Sequence, residues 1–336
     1  MTETQRLLAA LSRRPVDRPP VICPGGMMSL AVTEVMDRCG HAWPAAHTDP
    51  DQMAALAAAM HELAGLENLA VPFCMTVEAE AFGAPVHLGS PTIQPYITDH
   101  PYASCRELAG LQPTAPDDCR MAVVLAAARR LAQEYPQVPV IGNLVGPVSL
   151  AGSLVEPGVL LREMYRSPDL VHAALRALVP SLAAFGRAQI AAGAAVVAIS
   201  EPTATGEILG PRLFAQFGAP YLQALAQELH QAGAPVIVHI CGDVRTIAAQ
   251  LPGIGADAIS VDEEVSLRHV RAAITPTPIM GNLSALALEQ GPPARIARWA
   301  RTIALRHADI VAPACGVVPT TPLSHLRALV EAVRNA

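Results

Sequence analysis

At 336 residues the chain is longer than an average domain of roughly 150 residues, although α/β barrels of about 250 residues or more fold as one unit. Hydrophobic residues make up 51% of it and charged residues 15%, which excludes a disordered chain, and a formal charge of -6 without a clustered basic stripe argues against a nucleic-acid surface. All 23 basic residues are arginine, so a Schiff-base lysine, a pyridoxal-phosphate anchor and a P-loop lysine are excluded. The longest apolar runs, such as 191–200, stop short of the ~20 residues a membrane helix needs. Residues 1–20 place charges inside an apolar stretch and offer no small-residue cleavage site, so no secretory leader is expected. Seven cysteines, an odd number without tight spacing, read as reduced thiols in a cytoplasm, some of them available to a metal.

Eight short apolar runs, each ending in Gly, Pro, Asn or a polar group, alternate with Ala/Leu/Arg-rich helical stretches. In chain order they are 20–24 (PVICP), 69–74 (LAVPFC), 138–144 (VPVIGNL), 195–201 (AVVAISE), 235–241 (PVIVHIC), 258–262 (AISVD), 278–283 (PIMGNL) and 310–315 (IVAPAC). Continuous apolar strands between helices mean a parallel sheet buried on both faces. Eight such units predict an α/β fold, a single (β/α)8 TIM-type barrel over residues 1–336 with 1–19 as a helical lead-in. The stretches 27–65 and 78–128 exceed a barrel crossover and are expected to be N-terminal helical insertions capping one end. Helices are expected over 211–231 and over 293–306, where Arg295, Arg298 and Arg301 mark a solvated face.

In such a barrel the active site lies at the carboxyl ends of the strands. Those ends carry Cys23, Cys74, Asn143, Glu201, His239, Cys241, Asp262, Asn282 and Cys315, a set rich in soft metal ligands. His239 and Cys241, two apart, point to the same face of one strand, and ring closure brings Cys315 to the same mouth. Spacing alone also fits a packed His-Cys pair. If the three ligate, a His-Cys-Cys set with an open fourth position suits Zn2+, not Mg2+ or Ca2+. Two thiolates keep such an ion electron-rich, which favours alkyl transfer to a substrate thiol over hydrolysis.

The stretches 238–251 (VHICGDVRTIAAQL), 258–265 (AISVDEEV), 278–283 (PIMGNL) and 310–329 (IVAPACGVVPTTPLSHLRAL) resemble the methylcobamide:coenzyme M methyltransferases of the uroporphyrinogen decarboxylase superfamily. Similar patterns continue in 72–83, 142–154 and 199–209, so the resemblance spans about 20–333. It implies that His239, Cys241 and Cys315 hold a catalytic zinc. It also implies methyl transfer from a methylcobamide to a small-molecule thiol such as coenzyme M. Tetrahydrofolate as acceptor and a decarboxylase-like lyase are the alternatives. The stretch 19–28 lacks the arginine motif with which the decarboxylases handle carboxylates, which disfavours porphyrinogen decarboxylation. No D-x-H-x-x-G loop is present, so the methyl donor is expected on a separate corrinoid protein. His325 stands where these methyltransferases usually have Asn, which alters one side of the mouth. No nucleic-acid or membrane partner is expected, and a homodimer is the one self-association left open.

The other strand-end residues carry paired readings. Glu201 and Asp262 either complete or orient the zinc site, with a catalytic part, or cap the helices that follow. Asn143 and Asn282 either hydrogen-bond the substrate or shape turns beside their glycines, and His325 joins them as a substrate-side candidate. Cys23 and Cys74 are expected to be buried small side chains.

Overall fold

The computed structural model describes residues 1–24 and 30–336. The first residues of the 27–65 insertion and the end of the 19–28 stretch read for an arginine lie outside the described residues. The strands among the described residues are β1 (Leu69–Val71), β2 (Val86–His87), β3 (Tyr96–Ile97), β4 (Val140–Val145), β5 (Val196–Ser200), β6 (Val236–Ile240), β7 (Ala258–Val261), β8 (Ile279–Leu283) and β9 (Ile310–Pro313). Seven of them form one parallel sheet in the order β1-β4-β5-β6-β7-β8-β9. These are seven of the eight expected runs; six of the strands lie within their runs and are shorter, and β4 starts two residues later than expected and ends one residue beyond, at Val145. In the run that opens at Leu69 the strand stops at Val71, because Pro72 has no N–H to give to a ladder. Every residue of β4, β5 and β6 is buried, as a sheet covered by helices on one face and filled by side chains on the other requires.

The eighth run, 20–24, closes the ring without becoming a full strand. Val21 forms a single parallel bridge with Val311 of β9. Val311 N donates to Pro20 O at 2.9 Å, Ile22 N to Val311 O at 3.0 Å and Glu67 N to Val21 O at 2.9 Å. Pro19, Pro20 and Pro24 have no N–H, so a regular ladder toward β1 is unavailable. Side chains replace it. Asn68 Nδ2 donates to Cys23 O at 3.0 Å while its Oδ1 accepts from Cys23 N at 2.8 Å, and the Glu67 carboxylate accepts from Val21 N at 3.2 Å. The curled sheet is thereby joined from β9 back to β1 as a TIM-type barrel.

The insertions are helical as expected. The first contains helices Thr33–Cys39 and Pro50–Ala64. In the second of these, Met53, Leu56, Ala57 and Met60 are buried at i, i+3, i+4 and i+7; Asp49 caps its start, and Gly65 ends it at a φ of 81°. The second insertion includes the antiparallel pair β2 and β3, which the sequence reading had not separated from loop: two residues per strand are too few for a period-2 signal. The helix expected over 211–231 is interrupted by a π-turn at Phe214–Gly218, since Pro220 cannot donate the usual i→i-4 bond. The helix Pro293–Arg306 forms as expected, with the Arg295 guanidinium stacked 4.2 Å from the Trp299 ring. No helix among the described residues is long and apolar enough to cross a membrane.

Candidate metal centre

β6 delivers two of the three sulfur and nitrogen groups. His239 is its fourth residue, fully inside the sheet and 5% exposed, and Cys241 lies one residue past its end. Cys315 lies two residues beyond β9. Their ligand atoms all fall within 4.8 Å of one another. His239 Nε2 is 3.3 Å from Cys241 Sγ, and Cys241 Sγ is 3.8 Å from Cys315 Sγ. A tetrahedral zinc with Zn–S bonds of about 2.3 Å and a Zn–N bond of about 2.0–2.1 Å has S···S edges of about 3.8 Å and N···S edges of about 3.6 Å. The cluster therefore has the spacing and the donor types of a zinc site before any ion is considered.

The electrostatics point the same way. The thiol of Cys241 donates to Cys315, and this hydrogen bond, followed by burial, pushes Cys241 far above an ordinary thiol. The same bond, together with the His239 charge, pulls Cys315 well below the ordinary value. Burial works to lower His239, but the Cys315 thiolate and the Asp262 carboxylate outweigh it and hold the imidazole above its usual range. The two thiols and the imidazole thus compete for protons at one point of the barrel mouth. A divalent cation among them would replace those protons and satisfy both sulfurs as thiolates.

Cys241 and Cys315 line a cavity of about 320 Å3 together with Asp262, Glu263, Ala285, Leu286, Ala314 and Val318. An ion held by the three residues would have this space, large enough for a small substrate, beside its sulfur ligands. A larger cavity, about 470 Å3, lies at the opposite end of the barrel among Arg13, Arg14, Arg271 and Asp309, away from the sulfur ligands.

The remaining expected residues separate into distinct environments. Asp262 lies on the wall of the same cavity as Cys241 and Cys315, where its charge acts on Cys241 and His239. Glu201 is fully buried and its carboxyl turns to the start of helix Pro147–Leu154, where Oε2 accepts from Val148 N at 3.0 Å and Oε1 accepts from Ser149 N at 2.8 Å and from the Ser149 hydroxyl. It thus caps a helix, although the one after β4 and not the one after its own strand. Asn143 Nδ2 donates to Pro24 O at 2.7 Å, while its buried Oδ1 has no hydrogen-bond partner among the described residues. Asn282 Nδ2 donates to Asp262 O and Val265 O, both at 2.8 Å, and so fixes the loop that carries Asp262 and Glu263. His325 Nδ1 donates to Leu288 O at 2.7 Å, bracing the short helix Ala285–Gln290 of the cavity wall. Cys23 and Cys74 are buried, but Cys74 is more than filler: Arg120 Nη1 donates to its sulfur at 3.4 Å while Nη2 and Nε hold Thr76 at 2.7 Å and Glu80 at 2.6 Å.

Sequence reasoning passed over Ser260, Glu263 and Arg120. Ser260 is found from the sheet register, which sets it beside His239, and its Oγ is 3.0 Å from His239 Nδ1. Glu263 was legible only as part of an acidic run, yet its carboxylate accepts from Ala285 N at 3.0 Å and holds the cavity wall together. Arg120 is the first residue of a helix, a position at which composition predicts only a solvated charge.

The fold and site together define an α/β-barrel, closed by a short first segment, that carries a His-Cys-Cys cluster able to hold a metal ion at its carboxyl mouth. The chain belongs to the uroporphyrinogen decarboxylase (URO-D) family, whose model matches residues 2–336. It is 34% identical over 331 residues to the methylcobamide:CoM methyltransferase MtaA of Methanosarcina barkeri, an alignment covering 97% of this chain and 96% of that protein. It is 31% identical over 336 residues to the methylcobamide:CoM methyltransferase MtbA of Methanosarcina mazei, covering 99% of this chain and 98% of the relative. Among solved structures, a methyltransferase from Methanosarcina mazei superposes with a TM-score of 0.94 at 35% identity, covering 100% of this chain and 99% of that one.

Proposed function

We propose that the protein is a zinc-dependent methyltransferase that moves a methyl group from a methylcobamide, presented by a separate corrinoid protein, to the sulfur of a small thiol of the coenzyme M type. The observation that carries this reading is the convergence of His239 Nε2, Cys241 Sγ and Cys315 Sγ under an open cavity. Full-length relatives named as methylcobamide:CoM methyltransferases support it. Zinc held by these three residues supplies the Lewis acidity that makes a thiol sulfur nucleophilic near neutral pH.

The chain's own groups then act in fixed parts. The walls at Ala285, Leu286, Ala314 and Val318 displace water and confine the acceptor beside the ligands. Asp262, on the cavity wall beside Cys241 and Cys315, is the carboxylate placed to receive the acceptor's thiol proton. The sulfur takes the methyl group, the electron pair of the broken Co–C bond stays on the departing corrinoid, and the proton passes to solvent through the mouth. Asn143 offers its Oδ1, which has no hydrogen-bond partner among the described residues, to a donor on the substrate, while Asn282 and His325 hold the cavity's walls. Glu201 supports the barrel end without touching the reacting groups. All seven cysteines are free, which accords with work in the reducing cytoplasm, and residues 1–336 act as one barrel unit.

The test is metal content and thiol methylation in Cys241→Ala and Cys315→Ala. Both are expected to lose zinc and methyl transfer together. Full transfer in the metal-free variants would overturn the reading.

A further inference from the structure

His239 is flanked in the sheet by two serines. The parallel register sets Ser200 of β5 beside it on one side and Ser260 of β7 on the other. Both are buried, at 2% and 1% exposure. Only one of them meets the imidazole: Ser260 Oγ lies 3.0 Å from Nδ1, and among the described residues Ser200 makes no side-chain hydrogen bond to it. The ring therefore has Nδ1 against a hydroxyl and Nε2 against sulfur, 3.3 Å from Cys241.

We infer that Ser260 is a positioning residue of the metal centre, accepting the Nδ1 proton of His239 so that Nε2 presents its lone pair to the ion between the sulfurs. The inference rests on the metal reading above. An imidazole whose ligating nitrogen is bare must carry its proton on the other nitrogen, and in a buried site that N–H needs an acceptor. Ser260 Oγ is that acceptor, and its own hydrogen remains free to turn away. The rigidity of β6 and β7 fixes the ring plane as well, since both residues sit inside paired strands. Loss of the hydroxyl leaves Nδ1–H buried with nothing to accept it, a penalty that falls on the tautomer that binds metal.

The experiment measures zinc affinity by competition with a chromophoric chelator, and the absorption of the Co2+-loaded protein, in wild type, Ser260→Ala, Ser200→Ala, and the isosteric pair Ser260→Thr and Ser260→Val. Ser260→Ala is expected to weaken zinc about tenfold to a hundredfold and to alter the Co2+ ligand-field bands. Ser200→Ala, the same atomic change on the other flank, leaves affinity and spectrum as in wild type. If Ser260→Ala folds poorly, the isosteric pair decides: Thr keeps the oxygen and retains affinity, and Val does not. Equal affinities in Thr and Val, or equal losses in Ser200→Ala and Ser260→Ala, would show that packing alone is at work and overturn the inference. A wild-type protein that binds neither metal would instead remove the metal reading on which it rests.

Discussion

Glu201 is the residue whose two sequence readings the structure separates most sharply, and replacing it with alanine tests the separation. Its carboxyl is fully buried and receives Val148 N at 3.0 Å, Ser149 N at 2.8 Å and the Ser149 hydroxyl. Pro147, the first residue of that helix, has no N–H, so the next two amides are the ones that need an external acceptor. Gly146 is shaped around the same carboxyl: a Cβ there would lie 2.3 Å from Glu201 Oε2. Glu201→Ala strands two buried amides at about 1–3 kcal/mol each, or about 2–6 kcal/mol in all, and the cavity it leaves acts in the same direction. Against a typical total of about 5–15 kcal/mol that is a large loss. It is read from urea denaturation of the metal-free protein, so that metal binding does not enter. Zinc affinity, measured on the folded variant at low denaturant, should stay near wild type. A variant of unchanged stability that no longer binds zinc would show that Glu201 belongs to the metal centre, and would refute the capping argument.

Glu78 gives a pH prediction. Burial raises its pKa to about 7 even though Val145 N donates to it at 2.8 Å. The folded state thus keeps a proton that an unfolded carboxyl releases near 4.5, so its contribution is complete below about 4.5 and is lost as pH rises through about 7. Wild type should lose on the order of 3 kcal/mol relative to Glu78→Gln between pH 4.5 and 8, and parallel stability curves would contradict this. Asn68→Leu removes both side-chain bonds to Cys23 across the barrel seam and should cost about 1–3 kcal/mol in denaturant midpoint analysis. A loss well under ~0.5 kcal/mol would mean that the seam closes without Asn68.

The barrel was readable because its strands are continuous apolar runs, a pattern that only a doubly covered parallel sheet explains. The segment 20–24 shows the limit: its composition matches the others, but its two prolines and the preceding Pro19 leave it a bridge and two side-chain seams in place of a ladder. Within the site, His239 and Cys241 could be paired from spacing within one strand, and Cys315 from the geometry of a closed ring. The part played by Ser260 could not be, because it depends on the register between β6 and β7, which no local pattern encodes. Glu201 was recognised as a strand-end acid with a capping alternative, but the helix it caps belongs to the neighbouring strand, a long-range choice set by the fold. Asn282 and His325 likewise use their polar atoms on backbone carbonyls of cavity loops, where sequence alone offered them to a substrate.

The central claim is that the His239, Cys241 and Cys315 cluster, loaded with zinc, drives methyl transfer to a thiol. Its most direct test starts from metal-free protein with free methylcobalamin and coenzyme M, adds zinc stepwise, and follows the loss of the methylcobalamin spectrum. The rate should rise in proportion to zinc, level off at about one equivalent per chain, and stay at background throughout in Cys315→Ala. A metal-free rate equal to that of the zinc-loaded protein, or a zinc response that survives in Cys315→Ala, would contradict the account.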